Sequence, residues 1–399
     1  MERPSERLKG EGSSLGEVAL PHALTFSLPR LVGTEGELFA RGYLRGTLER
    51  LGLQVEEEAF SIPLDPLSLW RVGACLSLAA LILSRFLARS HPFLASLLAL
   101  LLIAFILSAG RLWRAIMERA DLSPLPERKL SSNLLVRIPG GGKGPELFLM
   151  AHYDSKSQSI SLPQRIVLLI LAVVSCALLA LEYGLSGAGL LSLNPLGVNI
   201  PLIIAIPAAL ILLTTRTRNR SPGALDNAAA LGVLLAVAGE LLESPPRHLR
   251  VRLLFTGAEE LGLVGAWAFL RRHGRELSRH ESYFLNLDGV GLRGALKFIS
   301  PPFRKSPLSE ALKRGAARAR VRLKSFPLLV GLMTDHLPFA SWGYPALSLI
   351  CVSRKSRVVH TPLDKKELLT REGLQEAGRL VRETIEELDR ACEKISNSP

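Results

Sequence analysis

The pattern of apolar and polar positions gives the chain two textures. In the first, short apolar runs alternate with polar ends, as strands and half-buried helices do. Residues 34–51 place Leu38, Leu44, Leu48 and Leu51 on one helical stripe, with Thr34 and Glu37 at capping-box spacing and Gly52 as the stop. Runs 54–62, 133–138, 146–150, 251–255, 281–287 and 345–352 predict strands, with Pro139 to Gly142 as a turn. Helices are predicted over 261–271, over 308–324, and in the small-residue stretch that runs to Leu242. The C-terminal segment repeats Leu374, Ala377, Val381, Ile385 and Leu388, a stripe that packs on a sheet. The second texture is continuous. Residues 67–87, 92–112, 166–185 and 198–213 are almost wholly apolar, close to the roughly 20 residues that a bilayer requires. A buried core helix suits only the last of these, which is short and carries Pro201 and Pro207.

These runs pair into two hairpins and set the expected domains. Residues 1–66, 113–164 and 216–399 form one catalytic-type domain, interrupted by membrane hairpins at 67–112 and 165–215. Two hairpins cross an even number of times, so the rest of the chain stays on one side. That side carries Arg71, Arg111, Arg114, Arg119, Arg165, Arg216, Arg218 and Arg220, against Arg85 and Arg89 at one hairpin tip. The positive-inside rule then expects the main domain to face the cytoplasm. The spans carry no central charge, only Arg71 and Glu182 near ends, which argues against an ion path.

Composition sharpens this picture. Across 399 residues, 48% are hydrophobic and the net charge is +13. Such a balance suits anionic partners; with 6% aromatic residues and no nucleic-acid motif, lipid is expected rather than nucleic acid. The four cysteines have no metal-type spacing, and Cys75 and Cys176 fall in apolar runs, which fits a reducing compartment. Residues 1–16 are polar and charged, unlike a secretory signal.

Candidate chemistry collects where strands end. His152 and Asp154 follow one strand, Glu259 and Glu260 another, Asp288 a third; Asp226 opens a helix and His360 follows the last strand. Ends of parallel strands converge on one crevice, and imidazole with carboxylate is a donor set that zinc accepts. Each residue alone has an ordinary reading. A Glu-Glu pair opens helices, Asp288 precedes a turn glycine, and a lone histidine is more often a hydrogen-bonded core or surface group.

As an ordered set the residues say more. Ala151-His152-Tyr153-Asp154-Ser155, Gly223-Ala224-Leu225-Asp226-Asn227-Ala228, Thr256-Gly257-Ala258-Glu259-Glu260-Leu261-Gly262, Asn286-Leu287-Asp288, Thr334-Asp335-His336-Leu337-Pro338-Phe339 and His360-Thr361-Pro362 resemble, in order, the metal-site blocks of the M28 family of zinc aminopeptidases. The resemblance implies an α/β fold: a mixed, mostly parallel twisted sheet sandwiched by helices, as in zinc exopeptidases, with about four transmembrane helices inserted as hairpins. It implies two Zn2+ ions, one on His152 and Asp288, the other on Glu260 and His360, with Asp226 shared. Glu259 would be the general base, Asp154 would orient His152, and Asp335 and His336 would lie near the substrate, a peptide. Here a hairpin separates Asp154 from Asp226, so the site requires that insertion to leave and return at one place. Leu225 also replaces an acidic residue that often precedes the shared Asp. A catalytically inactive scaffold and a single-zinc acyltransferase of the glutaminyl cyclase type are the alternatives. Oligomeric state is not legible.

Overall fold

The computed structural model describes residues 13–142, 144–300, 306–327 and 332–396; residues 1–12 of the polar N-terminal stretch lie outside them. The chain divides into two compact units, one of residues 1–63, 120–157 and 218–399 and the other of 64–119 and 158–217.

The first unit is built on an eight-stranded sheet: β1 (Val55–Ser61), β2 (Leu130–Arg137), β3 (Glu146–His152), β6 (Arg250–Thr256), β7 (Ser282–Leu287), β8 (Leu296–Ile299), β9 (Lys324–Ser325) and β10 (Ala346–Cys351). Strand order is β1-β2-β6-β3-β7-β10-β8-β9. The central run β6-β3-β7-β10 is parallel, while β1 and β2 are antiparallel at one flank. All seven residues of β3 are buried, as expected of a parallel strand covered on both faces. Alternate residues feed two layers. Leu147, Leu149 and Ala151 enter the larger core, with α1 (Leu15–Phe26), α2 (Glu35–Arg50), α7 (Ala229–Glu243), α9 (Pro307–Ala319) and α11 (Arg371–Ser396). Phe148 points to the other face, 4.7 Å centroid to centroid from Phe284 and 5.4 Å from Phe269 of α8 (Val264–His273). Phe284 in turn stacks 4.0 Å from Phe339 of α10 (His336–Ser341). The whole C-terminal stripe from Leu374 to Leu388 is buried.

Several local expectations are corrected. Glu37 does not close a capping box with Thr34; it turns inward to accept from Gly33 N and from Ser131 Oγ at 2.6 Å, and the Thr34 hydroxyl bonds Leu31 O instead. The helix expected over 308–324 stops at Ala319, because Arg320 takes a left-handed conformation, and 324–325 join the sheet. The helix α1 starts inside the stretch read as a polar tail, with Ser14 and Glu17 as its capping box. Its apolar pattern is broken by Pro21, which hid it. The four cysteines are free.

The second unit contains α3 (Pro66–Leu87), α4 (Pro92–Arg119), α5 (Leu162–Gly187) and α6 (Pro195–Leu213), each long and apolar enough to cross a membrane. Its interior mixes small residues, such as Ala95, Ala99, Cys176, Ala180 and Ala205, with Leu81, Leu102, Leu179, Leu202 and Tyr183, while Phe86, Phe93, Leu76 and Ile203 project outward. Large apolar groups on the outside, with small residues among those between the helices, are compatible with helices packed in lipid. A fifth apolar helix, Ala224–Glu243, differs: it is almost wholly buried within the first unit's core. Leu234→Ala should therefore destabilise the first unit by about 2–5 kcal/mol, whereas Ile203→Ala should change stability by no more than about 0.5 kcal/mol. Denaturant titration of the detergent-solubilised chain measures both; equal losses would contradict this division.

Candidate metal centre

The centre lies at the C-terminal ends of β3, β6, β7 and β10, where each strand hands its chain to a loop. β3 ends on His152, β7 on Leu287 just before Asp288, and His360 lies nine positions beyond Cys351, the end of β10. After β6 the chain makes a tight 3-10 turn, Glu259–Leu261, flanked by left-handed residues at Ala258, Gly262 and Leu263. The helix predicted from 261 therefore begins at Val264, and the glutamates sit buried in the turn, at 7% and 4% exposure, instead of facing water at a helix start. Gly257 permits the approach; a Cβ there would lie 2.4 Å from Ser131 Oγ and 2.6 Å from Ser132 O. Asn133 braces the same turn, accepting from Gly257 N at 3.2 Å and donating to Gly265 O at 2.8 Å.

Asp226 is central. Its Oδ1 lies 3.0 Å from His152 Nε2, and its Oδ2 lies 3.0 Å from His360 Nε2. Asp288 Oδ1 is 3.8 Å from the same His152 nitrogen, and Glu260 Oε2 is 3.1 Å from the same His360 nitrogen. Two groups result, His152–Asp226–Asp288 and Asp226–Glu260–His360, each with ligand atoms within 4.8 Å of one another. His152 Nε2 is buried yet makes no hydrogen bond of proper geometry, although it faces two carboxylates. A ring nitrogen aimed at anions, with no thiolate near, fits a bound divalent cation such as zinc.

Asp154 does more than the sequence expectation allowed. Its carboxylate accepts from Glu259 N and Glu260 N, both at 3.1 Å, while His152 Nδ1 lies 3.1 Å from the Asp154 backbone carbonyl and 3.6 Å from its carboxylate. One residue thus steadies the imidazole and the Glu turn together. Asp335 and His336 are fully buried. Asp335 accepts from the Thr256 hydroxyl, and His336 Nδ1 lies 2.7 Å from Thr334 Oγ1 and 2.8 Å from Ser348 Oγ. Neither presents surface to a substrate, so the geometry favours a supporting role over the substrate contact expected for them.

Three residues that carry the site escaped the sequence reading. Lys156 donates from Nζ to Glu260 Oε2 at 3.0 Å and to Glu260 O at 2.7 Å. Asp364 accepts from Leu225 N at 2.8 Å and Asp226 N at 3.2 Å. Arg30 is wholly buried and bonds backbone carbonyls on both sides of the centre. Lys156 directly follows the Ser155 of the first block, and Asp364 lies four residues past His360, so both had a positional signal. Arg30 had none.

Electrostatics follow from burial and these pairings. Burial pushes the Glu259 carboxyl well above the usual range, and Glu260 and Asp288 add to it against the opposing His152. Burial would raise Glu260 too, yet His360 and Lys156 hold it down at about 2. Burial disfavours a charged His360, but Glu260 and Asp226 lift it to about 9. Burial raises Asp335 and Asp364 to about 7 each.

With this geometry the comparisons become specific. Residues 204–385 match the model of Peptidase family M28. That stretch, just under half of the chain, is similar to the family. Aminopeptidase YwaD of Bacillus subtilis (strain 168) is 33% identical over 175 residues, 42% of this chain, and the match spans only 38% of that relative's length. Among solved structures, BSAP, a zinc aminopeptidase from Bacillus subtilis, aligns with TM-score 0.53 at 17% identity over 92% of this chain and 94% of its own. A glutaminyl cyclase from an Acidobacteriales bacterium aligns with TM-score 0.56 at 17% identity over 96% and 98%. Likeness at this identity concerns the fold.

The shared Asp226 stands on Asp364. Asp364→Ala strands the buried amides of Leu225 and Asp226, each loss being worth about 1–3 kcal/mol. A lowered thermal midpoint of the chain is expected, and an unchanged midpoint would remove Asp364 from this account.

Proposed function

We propose that this chain is a membrane-anchored dinuclear zinc exopeptidase that removes N-terminal residues from peptides. The observation that carries the reading is the pair of three-residue ligand groups that share Asp226, with Glu259 buried beside them. His152 and Asp288 would hold one ion and Glu260 and His360 the other. Bound there, zinc ions supply Lewis-acid polarisation of a carbonyl and lower the pKa of water. Glu259 takes the proton from the attacking water and delivers it to the leaving amine nitrogen, work commonly worth about 10²–10⁴ in rate. Glu259 is buried in the turn beside Glu260, within reach of the two ligand groups, which suits a proton carrier shielded from bulk water. Asp154 holds the turn that aims Glu259 and Glu260 through their amides.

The two inserted hairpins would anchor the enzyme in a bilayer, and the arginines at their flanks support a cytoplasmic face for the first unit. The fold is shared with glutaminyl cyclases, so a single-zinc acyl transfer is the second reading. Retention of all five ligands favours two metals and hydrolysis. An inactive scaffold is disfavoured on the same ground.

The purified chain should carry about two zinc ions and lose activity on chelation. Glu259→Gln should keep that metal content and lose at least about a hundredfold in turnover of aminoacyl fluorogenic substrates. Undiminished turnover would remove Glu259 from its role. Supplied with a peptide beginning in glutamine, the chain should release free glutamine; a pyroglutamyl product in its place would select the cyclase reading.

A further inference from the structure

Arg30 has a burial that a guanidinium rarely has. It is 0% exposed and makes no ion pair among the described residues. Its donors go to main-chain carbonyls: Nε to Tyr153 O at 2.8 Å, Nη1 to Phe26 O, to Leu28 O at 2.9 Å and to Pro222 O at 2.8 Å, and Nη2 to Gly223 O at 3.2 Å. Its own backbone joins in, with Arg30 N donating to Ser155 Oγ at 3.0 Å and Ser155 N donating to Arg30 O at 3.1 Å. Ser155 Oγ also donates to Ser221 O at 3.2 Å. The two segments gripped in this way, 153–155 and 221–223, lie between His152 and Asp226, and the 158–217 insertion separates them in sequence. Gly223 is shaped to this contact: its φ is +58°, and a Cβ there would lie 2.7 Å from Ser155 Cβ and 3.0 Å from Arg30 Nη2.

The absence of a carboxylate partner is informative. A buried cation without one is expensive unless negative charge lies nearby. Here the guanidinium is satisfied by main-chain carbonyls on several sides. Burial lowers the guanidinium to about 10, while Asp154, Asp364, Asp226 and Glu260 act to keep it charged. The planar fork meets several carbonyls at fixed angles, which a lysine ammonium cannot reproduce.

We infer that Arg30 is a positioning residue for the metal centre: it clamps the two ligand-bearing segments at the His152–Asp226 spacing. This deepens the dinuclear reading and rests on it. The clamp acts on ligand geometry, so its loss should appear in the metals before it appears in the fold. Outer groups that orient ligands commonly account for about 10–100-fold in metal affinity.

The test uses the full chain in detergent, with Arg30→Lys and Arg30→Met. Zinc affinity is measured by titration against a competing chelator, and ligand geometry by the visible absorption of the cobalt-substituted protein. Wild type should bind two ions; a wild type that binds none would refute the dinuclear reading itself, separately from Arg30. Given binding, Arg30→Met should weaken affinity about 10–100-fold and alter the cobalt spectrum while circular dichroism stays native. Arg30→Lys should fall between, restoring charge without the fork. Wild-type affinity and spectrum in either folded variant would overturn the inference. So would variants that fail to fold even with zinc present, because that outcome marks a purely structural residue.

Discussion

One carboxylate between two imidazoles is the constraint on which the rest depends. Each oxygen of Asp226 lies 3.0 Å from a histidine nitrogen, so the two ligand groups stay in register only if Asp226 is held still. It is held from behind by main-chain contacts. Asp364 takes its amide and that of Leu225, and the neighbouring Asn227 ties it to the next strand. Asn227 Nδ2 donates to Leu287 O at 2.8 Å, and its Oδ1 accepts from Gly289 N at 3.2 Å, bracketing Asp288. The parallel pairing of β3 with β6 and β7 fixes His152 and the Glu turn relative to that same frame.

Gathering so many carboxylates costs free energy, because each raises the proton affinity of its neighbours and burial adds to it. The side chains around the carboxylates offset part of this cost. Lys156 pairs with Glu260 directly, the imidazoles face Asp226, and Arg30 ties the segments on either side through their carbonyls. Burial raises the proton affinity of Glu259, and Glu260 and Asp288 add to it against the opposing His152. Two adjacent residues of one type thereby acquire opposite tendencies, since Glu260 is held near 2.

Much of this was legible in the sequence because parallel strands are apolar runs whose ends are polar. His152, Asp288 and the Glu pair announced themselves as breaks in such runs, and the long apolar helices of the second unit announced themselves by length. What escaped depends on contacts between distant segments. Arg30 reads as a solvated charge until two carbonyl-bearing loops close around it. The capping box at Thr34 failed because Ser131, 94 positions away from Glu37, offers its carboxylate a buried partner. The helix start at 261 was misplaced because Gly262 and Leu263 take left-handed conformations that restart the chain direction at Val264. Asp154 was read as a partner of His152 alone, since nothing in its local spacing reveals the amides of the Glu turn.

The insertion between Asp154 and Asp226 was the strongest objection to a functional centre, and its ends meet it. The chain leaves through β4 (Ser157–Gln158) and returns through β5 (Thr217–Arg218), which pair as a separate two-stranded sheet. Ser157 Oγ donates to Arg218 O at 2.8 Å and accepts from Arg220 N at 3.1 Å, so departure and return are tied side by side. Closure entropy grows only slowly with the length of a loop, so a long excursion between tied ends adds little strain to the segments it joins. The ligands see a short connection: Ser155 meets Arg30 and Ser221, and Asp226 follows. The insertion is therefore compatible with the centre because its two ends are fixed before either ligand is reached.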